Sequence, residues 1–170
     1  MKSKDIAIVG ILLAIGAILR YFLAMLHTPL TPNMIIAFYC LAIILIRPRI
    51  LEALGIGLVA GALSMLISSS MFPPGNLISE PVGALVCFLL YAALRERTTF
   101  APTVTTFIAT LASGFTFAGV AILAIGATYL AKYNGDMMAF VAVFVPIVVI
   151  TAVFNAIIVQ ILYIPSSRVL

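Results

Sequence analysis

Apolar runs occupy almost the whole chain. Six of them, at 5–26, 33–46, 50–70, 81–94, 102–130 and 137–163, are separated by short clusters of charge, Pro, Asn and Gly. A helix needs about 20 mostly apolar residues to cross a hydrocarbon core of roughly 30 Å, since lipid offers the backbone no hydrogen bonds and the helix satisfies its own. The pattern predicts an all-α membrane protein of six transmembrane helices forming a single domain over residues 1–170, with no room for a separate soluble domain. The second run is short enough to be tilted or partly sunk, and the fifth is long enough to project from the bilayer. Composition agrees: 65% of residues are apolar and 8% charged, against roughly 45–50% and 25% in soluble domains. The opening Met-Lys-Ser-Lys-Asp and the run behind it have the outline of a signal peptide, but the run exceeds signal length and shows no clear cleavage site. It is read as the first span.

Orientation follows from basic residues in alternate loops. Lys2, Lys4, Arg47, Arg49, Arg95, Arg97 and Arg168 fall on one side, and Lys132 on the other. The positive-inside rule then makes both termini and the loops at 47–49 and 95–101 cytoplasmic, in a prokaryotic plasma membrane. The net charge of +4 reflects this topology and not a nucleic-acid surface, because the basic residues flank apolar runs and form no stripe. Three loops are left outside, at 27–33, 68–80 and 132–136, and they are the richest in polar and turn-forming residues. Recognition by shape is expected there.

On the first span Ala7, Gly10, Ala14, Ala17 and Tyr21 recur at spacings of 3, 4, 3 and 4. The four small side chains make a stripe on which another helix can approach closely, within this bundle or on another membrane subunit. Arg20 lies 16 residues after Lys4, about 24 Å along the helix, in the outer third of the membrane. There it either snorkels to the interface or meets a bound anionic group such as a carboxylate.

The stretch Met71-Phe-Pro-Pro-Gly-Asn-Leu-Ile-Ser-Glu-Pro81 is the most informative. Its Pro-Pro-Gly stops a helix, and Ser-Glu-Pro reads as an N-cap at Ser79 with Pro81 near the first turn. Glu80 then complements a helix dipole, or it points with Asn76 into an outward cavity, where it pairs with an ammonium. Asn33 is a second cap or a third polar group of that cavity. Asn155, one turn from Thr151 in the sixth span, either bridges helices or lines a polar pocket. Pro146 removes a backbone bond on the same helix, and Gln160 falls on a different face. Tyr21, Phe22, Phe72, Tyr129 and Tyr133 lie near the outer boundary, as an interfacial belt or as walls for a flat ligand.

Chemistry is excluded by what the chain lacks. It contains no Gly-Lys dipeptide and hence no P-loop, and its one histidine, His27, has no catalytic partner at any legible spacing. Cys40 and Cys87 sit in apolar runs and read as core packing, without ligand spacing for a metal. No enzymatic activity, cofactor or metal is expected, and binding without chemistry remains.

Taken together, size, topology, the small-residue stripe and the elaborate outer loops resemble the S components of energy-coupling factor (ECF) transporters. More specifically, Ile15-Gly-Ala17, Thr31-Pro-Asn-Met34, Arg47-Pro-Arg49 and Phe72-Pro-Pro-Gly-Asn-Leu-Ile-Ser-Glu-Pro-Val82 are similar to the tryptophan-transporter S components. The docking motif of that family is usually Ala to Ala, and here it reads Gly10 to Ala14. The resemblance implies a substrate-binding subunit that captures tryptophan outside. It also implies docking through Gly10, Ala14 and Ala17 to a membrane coupling subunit driven by two cytoplasmic ATPases. For a zwitterion with an indole ring, Arg20 and Glu80 would meet the charged groups, Phe72 and the other outer aromatics the ring, and Asn33, Asn76 and Asn155 would orient it. An S component for another nutrient and a non-transporting six-helix scaffold are the alternatives.

Overall fold

A computed structural model describes residues 1–25 and 32–167. Most of the expected loop at 27–33, with His27 and Thr31, lies outside the described residues, as does Arg168. The described residues form six α-helices and no strand: α1 (Ser3–Met25), α2 (Met34–Ile46), α3 (Ile50–Ile67), α4 (Asn76–Leu94), α5 (Ala101–Ala131) and α6 (Met137–Ser166), with a 3-10 turn at Pro73–Gly75. All of these helices except α2 are long and apolar enough to cross a membrane. Large apolar side chains such as Ile11, Leu51, Leu66, Leu123 and Ile161 stand exposed around the bundle. In water such a surface would aggregate, and in lipid it is solvated. The chain is a multi-pass membrane protein.

The short helix is the centre of the fold. A helix that is apolar all round has no face to offer a polar solvent, and in α2 every residue from Met34 to Ile44 is buried. The other five helices all pack against it. Its 13 residues extend only about 20 Å, so longer neighbours overtop it, and the cavity described below lies at its N-terminal end.

The ends of the bundle are pinned by polar pairs. At one end the Met1 ammonium pairs with Glu52, the Arg49 backbone N–H donates to the same carboxylate at 2.7 Å, and Thr103 Oγ1 donates to Gln160 Oε1 at 2.6 Å. The basic turns at 47–49 and 95–97 belong to this end. Gln160 is thus engaged with Thr103, and not with Asn155's partners Asn33 and Thr110.

Glycines decide which faces meet. On α1 the buried residues are Val9, Leu13 and Gly16, and a Cβ on Gly16 would stand 3.1 Å from Ile35 Cα and from Phe38. Ala7, Gly10 and Ala14 are exposed, and Ala17 is half-buried. Ala7, Gly10 and Ala14 are therefore off the face that packs within this bundle, whereas Ala17 packs against the core. On α3, Gly57 and Gly61 are a four-residue pair whose added Cβ atoms would lie 2.7 Å from Pro81 Cα and 2.7 Å from the Asn76 carbonyl oxygen, respectively. Backbone contact with the start of α4 requires their smallness.

The expected start of α4 is corrected. The helix begins at Asn76, not after a cap at Ser79, and Pro81 lies inside it. The Pro73–Gly75 turn feeds directly into the helix, and the Asn76 side chain donates to the Pro73 carbonyl at 2.8 Å. Ser79 and Glu80 are consequently helical and face inward, almost fully buried. Helix α5 also departs from regularity, at Ile125 (φ −139°, ψ 34°), which kinks it ahead of its last six residues.

Candidate functional site

Beyond the N-terminus of α2 lies a cavity of about 300 Å³, at the small end of the range of about 300–1,000 Å³ for ligand pockets. It sits at the end of the bundle opposite the basic turns. Arg20 and Ala24 of α1, Asn33 and Ile36 around the start of α2, and Ser68 to Ser70 after α3 contribute to it. Asn76, Ser79 and Glu80 enter from α4, Thr110, Ser113 and Phe117 from α5, and Phe144 and Thr151 from α6.

The polar wall is a connected network. Glu80 accepts from Asn33 Nδ2 through Oε1 at 2.5 Å and from Ser113 Oγ through Oε2 at 3.0 Å. Asn155 Nδ2 donates to the Asn33 main-chain carbonyl at 3.2 Å and to Thr110 Oγ1 at 3.3 Å. A buried carboxylate is tolerated only when its oxygens are met by donors, and both oxygens of Glu80 are.

Three polar atoms of the lining residues stay unmet among the described residues: Arg20 Nη1, Asn33 Oδ1 and Ser79 Oγ, all buried. Each such group costs on the order of 1–3 kcal/mol, more for a charge, until a partner reaches it. The unmet set is a cationic donor, a carbonyl acceptor and a hydroxyl. That combination suits a small ligand with a carboxylate and an N–H donor.

The opposite wall is aromatic. Tyr129 and Tyr133 line the cavity from the far end of α5 and the turn after it. Both stand edge-on to Phe140, with centroids 5.6 and 5.4 Å away, and Phe140 stacks on Phe144 at 5.1 Å. A flat ring fits against such a wall by stacking or edge contact.

Of the residues singled out from sequence, the fold gathers Arg20, Asn33, Asn76 and Glu80 at one cavity. Arg20 turns into the bundle and does not snorkel outward. Asn33 makes no side-chain cap for α2: its NH₂ end donates to Glu80, and its Oδ1 accepts from no N–H among the described residues. Asn155 stands one layer behind the wall. Phe72 does not face the cavity, and its ring lies against Gly75 instead. Tyr21 and Phe22 form an exposed edge-on pair away from it. Sequence reasoning did not pick out Thr110, Ser113, Phe117 and Phe144. A signal for the first two exists: Thr103, Thr106, Thr110 and Ser113 are spaced 3, 4 and 3 apart, a hydroxyl stripe on one face of an otherwise apolar helix.

Comparison with known proteins gives a consistent result. The family model for the tryptophan transporter TrpP matches residues 2–170. A probable tryptophan transport protein of Bacillus subtilis (strain 168) is 34% identical over 167 residues, covering 96% of this chain and 90% of that protein. No solved structure matches the chain.

Proposed function

The chain belongs to the TrpP tryptophan-transporter family, and from that premise we propose that it is a substrate-binding S component of an ECF-type importer, capturing tryptophan from outside the cell. In this reading residues 1–170 are one domain of six crossings, with both termini and the basic turns in the cytoplasm and the cavity facing out. Uptake is driven by partners: a membrane coupling subunit and two cytoplasmic ATPases. The chain itself binds and performs no chemistry.

The observation that carries the proposal is the cavity. Arg20 offers a cation whose Nη1 meets no partner among the described residues, the Asn33–Glu80 pair offers acceptors, and Tyr129, Tyr133, Phe117 and Phe144 offer a ring slot. A zwitterion with an indole side chain satisfies all three. Exposure of Ala7, Gly10 and Ala14 supports docking through α1, since a small-residue face left open to lipid permits close backbone approach by another subunit.

The test is equilibrium binding to the purified chain in detergent, with tryptophan set against phenylalanine, tyrosine, riboflavin, thiamine and biotin. The chain has no Trp, so indole fluorescence reports the ligand alone. Saturable, selective tryptophan binding without ATP is the expected result. Preference for another member of the panel would reassign the substrate, and no binding at all would sink the capture role.

A further inference from the structure

We infer that Asn33, and not Glu80, contacts the ligand's ammonium, and that Glu80 is a positioning residue that sets which way the Asn33 amide faces. The inference rests on the amino-acid reading of this cavity and assigns its amine pole. Two acceptors compete for that role. Glu80 bears the carboxyl group, but it is 1% exposed, and its Oε1 and Oε2 already accept from Asn33 Nδ2 and Ser113 Oγ. Asn33 is half-buried at the cavity wall, and its Oδ1, itself buried, still has no donor among the described residues, whereas both Glu80 oxygens have theirs.

The amide has two orientations, and chemistry selects one. An ionised carboxylate accepts hydrogen bonds and donates none, so the NH₂ end of Asn33 must turn to Glu80 and the oxygen end must turn away from it. Asn155 fixes the other half of the residue by donating to its main-chain carbonyl at 3.2 Å. Asn33 is thereby held at side chain and backbone by residues from α4 and α6. Its oxygen is polarised by the carboxylate behind it, which strengthens it as an acceptor. A free α-ammonium is the donor this arrangement selects, which makes the ligand class an amino acid with an unblocked amine.

The experiment compares tryptophan with indole-3-propionate, which keeps the ring and carboxylate and lacks the amine. Indole fluorescence is read on the full chain in detergent. The parent chain is expected to prefer tryptophan by roughly 10- to 150-fold, the range for one hydrogen bond to a charged group. Asn33→Ala is expected to remove that preference while leaving indole-3-propionate binding in place, which also reports an intact cavity. Glu80→Gln, whose amide can present either end to Asn33, is expected to lose it too, and the double variant is expected to lose no more than Asn33→Ala alone.

Retention of the preference in Asn33→Ala, with loss only in Glu80→Gln, would place the ammonium on Glu80 and overturn the inference. So would additive losses in the double variant. If Asn33→Ala does not yield folded protein, Asn33→Ser keeps a donor for Glu80, removes the amide oxygen and is read by the same ratio. Failure of the parent chain to bind tryptophan would overturn the substrate reading as a whole, an outcome distinct from either of these.

Discussion

Arg20 and Glu80 show how little a residue's identity says before its neighbours are known. From the sequence, Arg20 also reads as a snorkelling cation, and Glu80 also reads as a carboxylate at a helix start. In the folded chain both line one cavity, and the start of α4 moves back to Asn76, which makes Glu80 helical and buried. Arg20 Nη1 is left without a partner among the described residues, so a ligand carboxylate is its expected counterpart. Arg20→Gln should weaken tryptophan binding by about 1.5–3 kcal/mol, the range for a charged hydrogen bond. Binding of tryptamine, which has no carboxylate, should change by far less. Equal losses for the two ligands would mean that Arg20 shapes the cavity without touching the carboxylate.

The helix faces divide into those that hold the site and one, on α1, that is left open. Helix α3 meets the start of α4 through Gly57 and Gly61, where backbone touches backbone. Gly61→Ala places a methyl 2.7 Å from the Asn76 carbonyl oxygen. It should cost about 1–3 kcal/mol, the usual range for overpacking, seen as a lower melting temperature in detergent. Because Asn76 lines the cavity, ligand affinity should fall as well. On α1 the situation is reversed, since a Cβ on Gly10 would find nothing within 4 Å among the described residues. Gly10→Leu should therefore leave melting and tryptophan binding unchanged in the isolated chain and reduce uptake in cells. Lowered stability of this variant would show that the face is packed in the chain itself, contrary to the proposed docking role.

The whole molecule is a bundle around a helix too short to span it. The void beyond Asn33 follows from that mismatch, because the five surrounding helices outreach the 13 residues of α2. In the proposed S-component role the chain captures its substrate and depends on partners to move it. Reconstituted alone in vesicles, the chain should bind tryptophan and accumulate none, and accumulation should appear when an ECF coupling subunit, its two ATPases and ATP are supplied. Accumulation by the chain alone would overturn the dependence on partners. The sequence by itself determined that the chain is helical and lives in lipid, that it breaks into six runs, and which turns share the basic end. These features follow from local composition, because in hydrocarbon each helix satisfies its own backbone. Which small face of α1 is buried, where α4 begins and which polar groups meet were decided only by tertiary structure. Asn33 and Glu80 are 47 positions apart and Asn155 and Asn33 are 122 apart. Pairing at such separations depends on how the helices rotate and close around α2, which the periodicity of one helix does not encode.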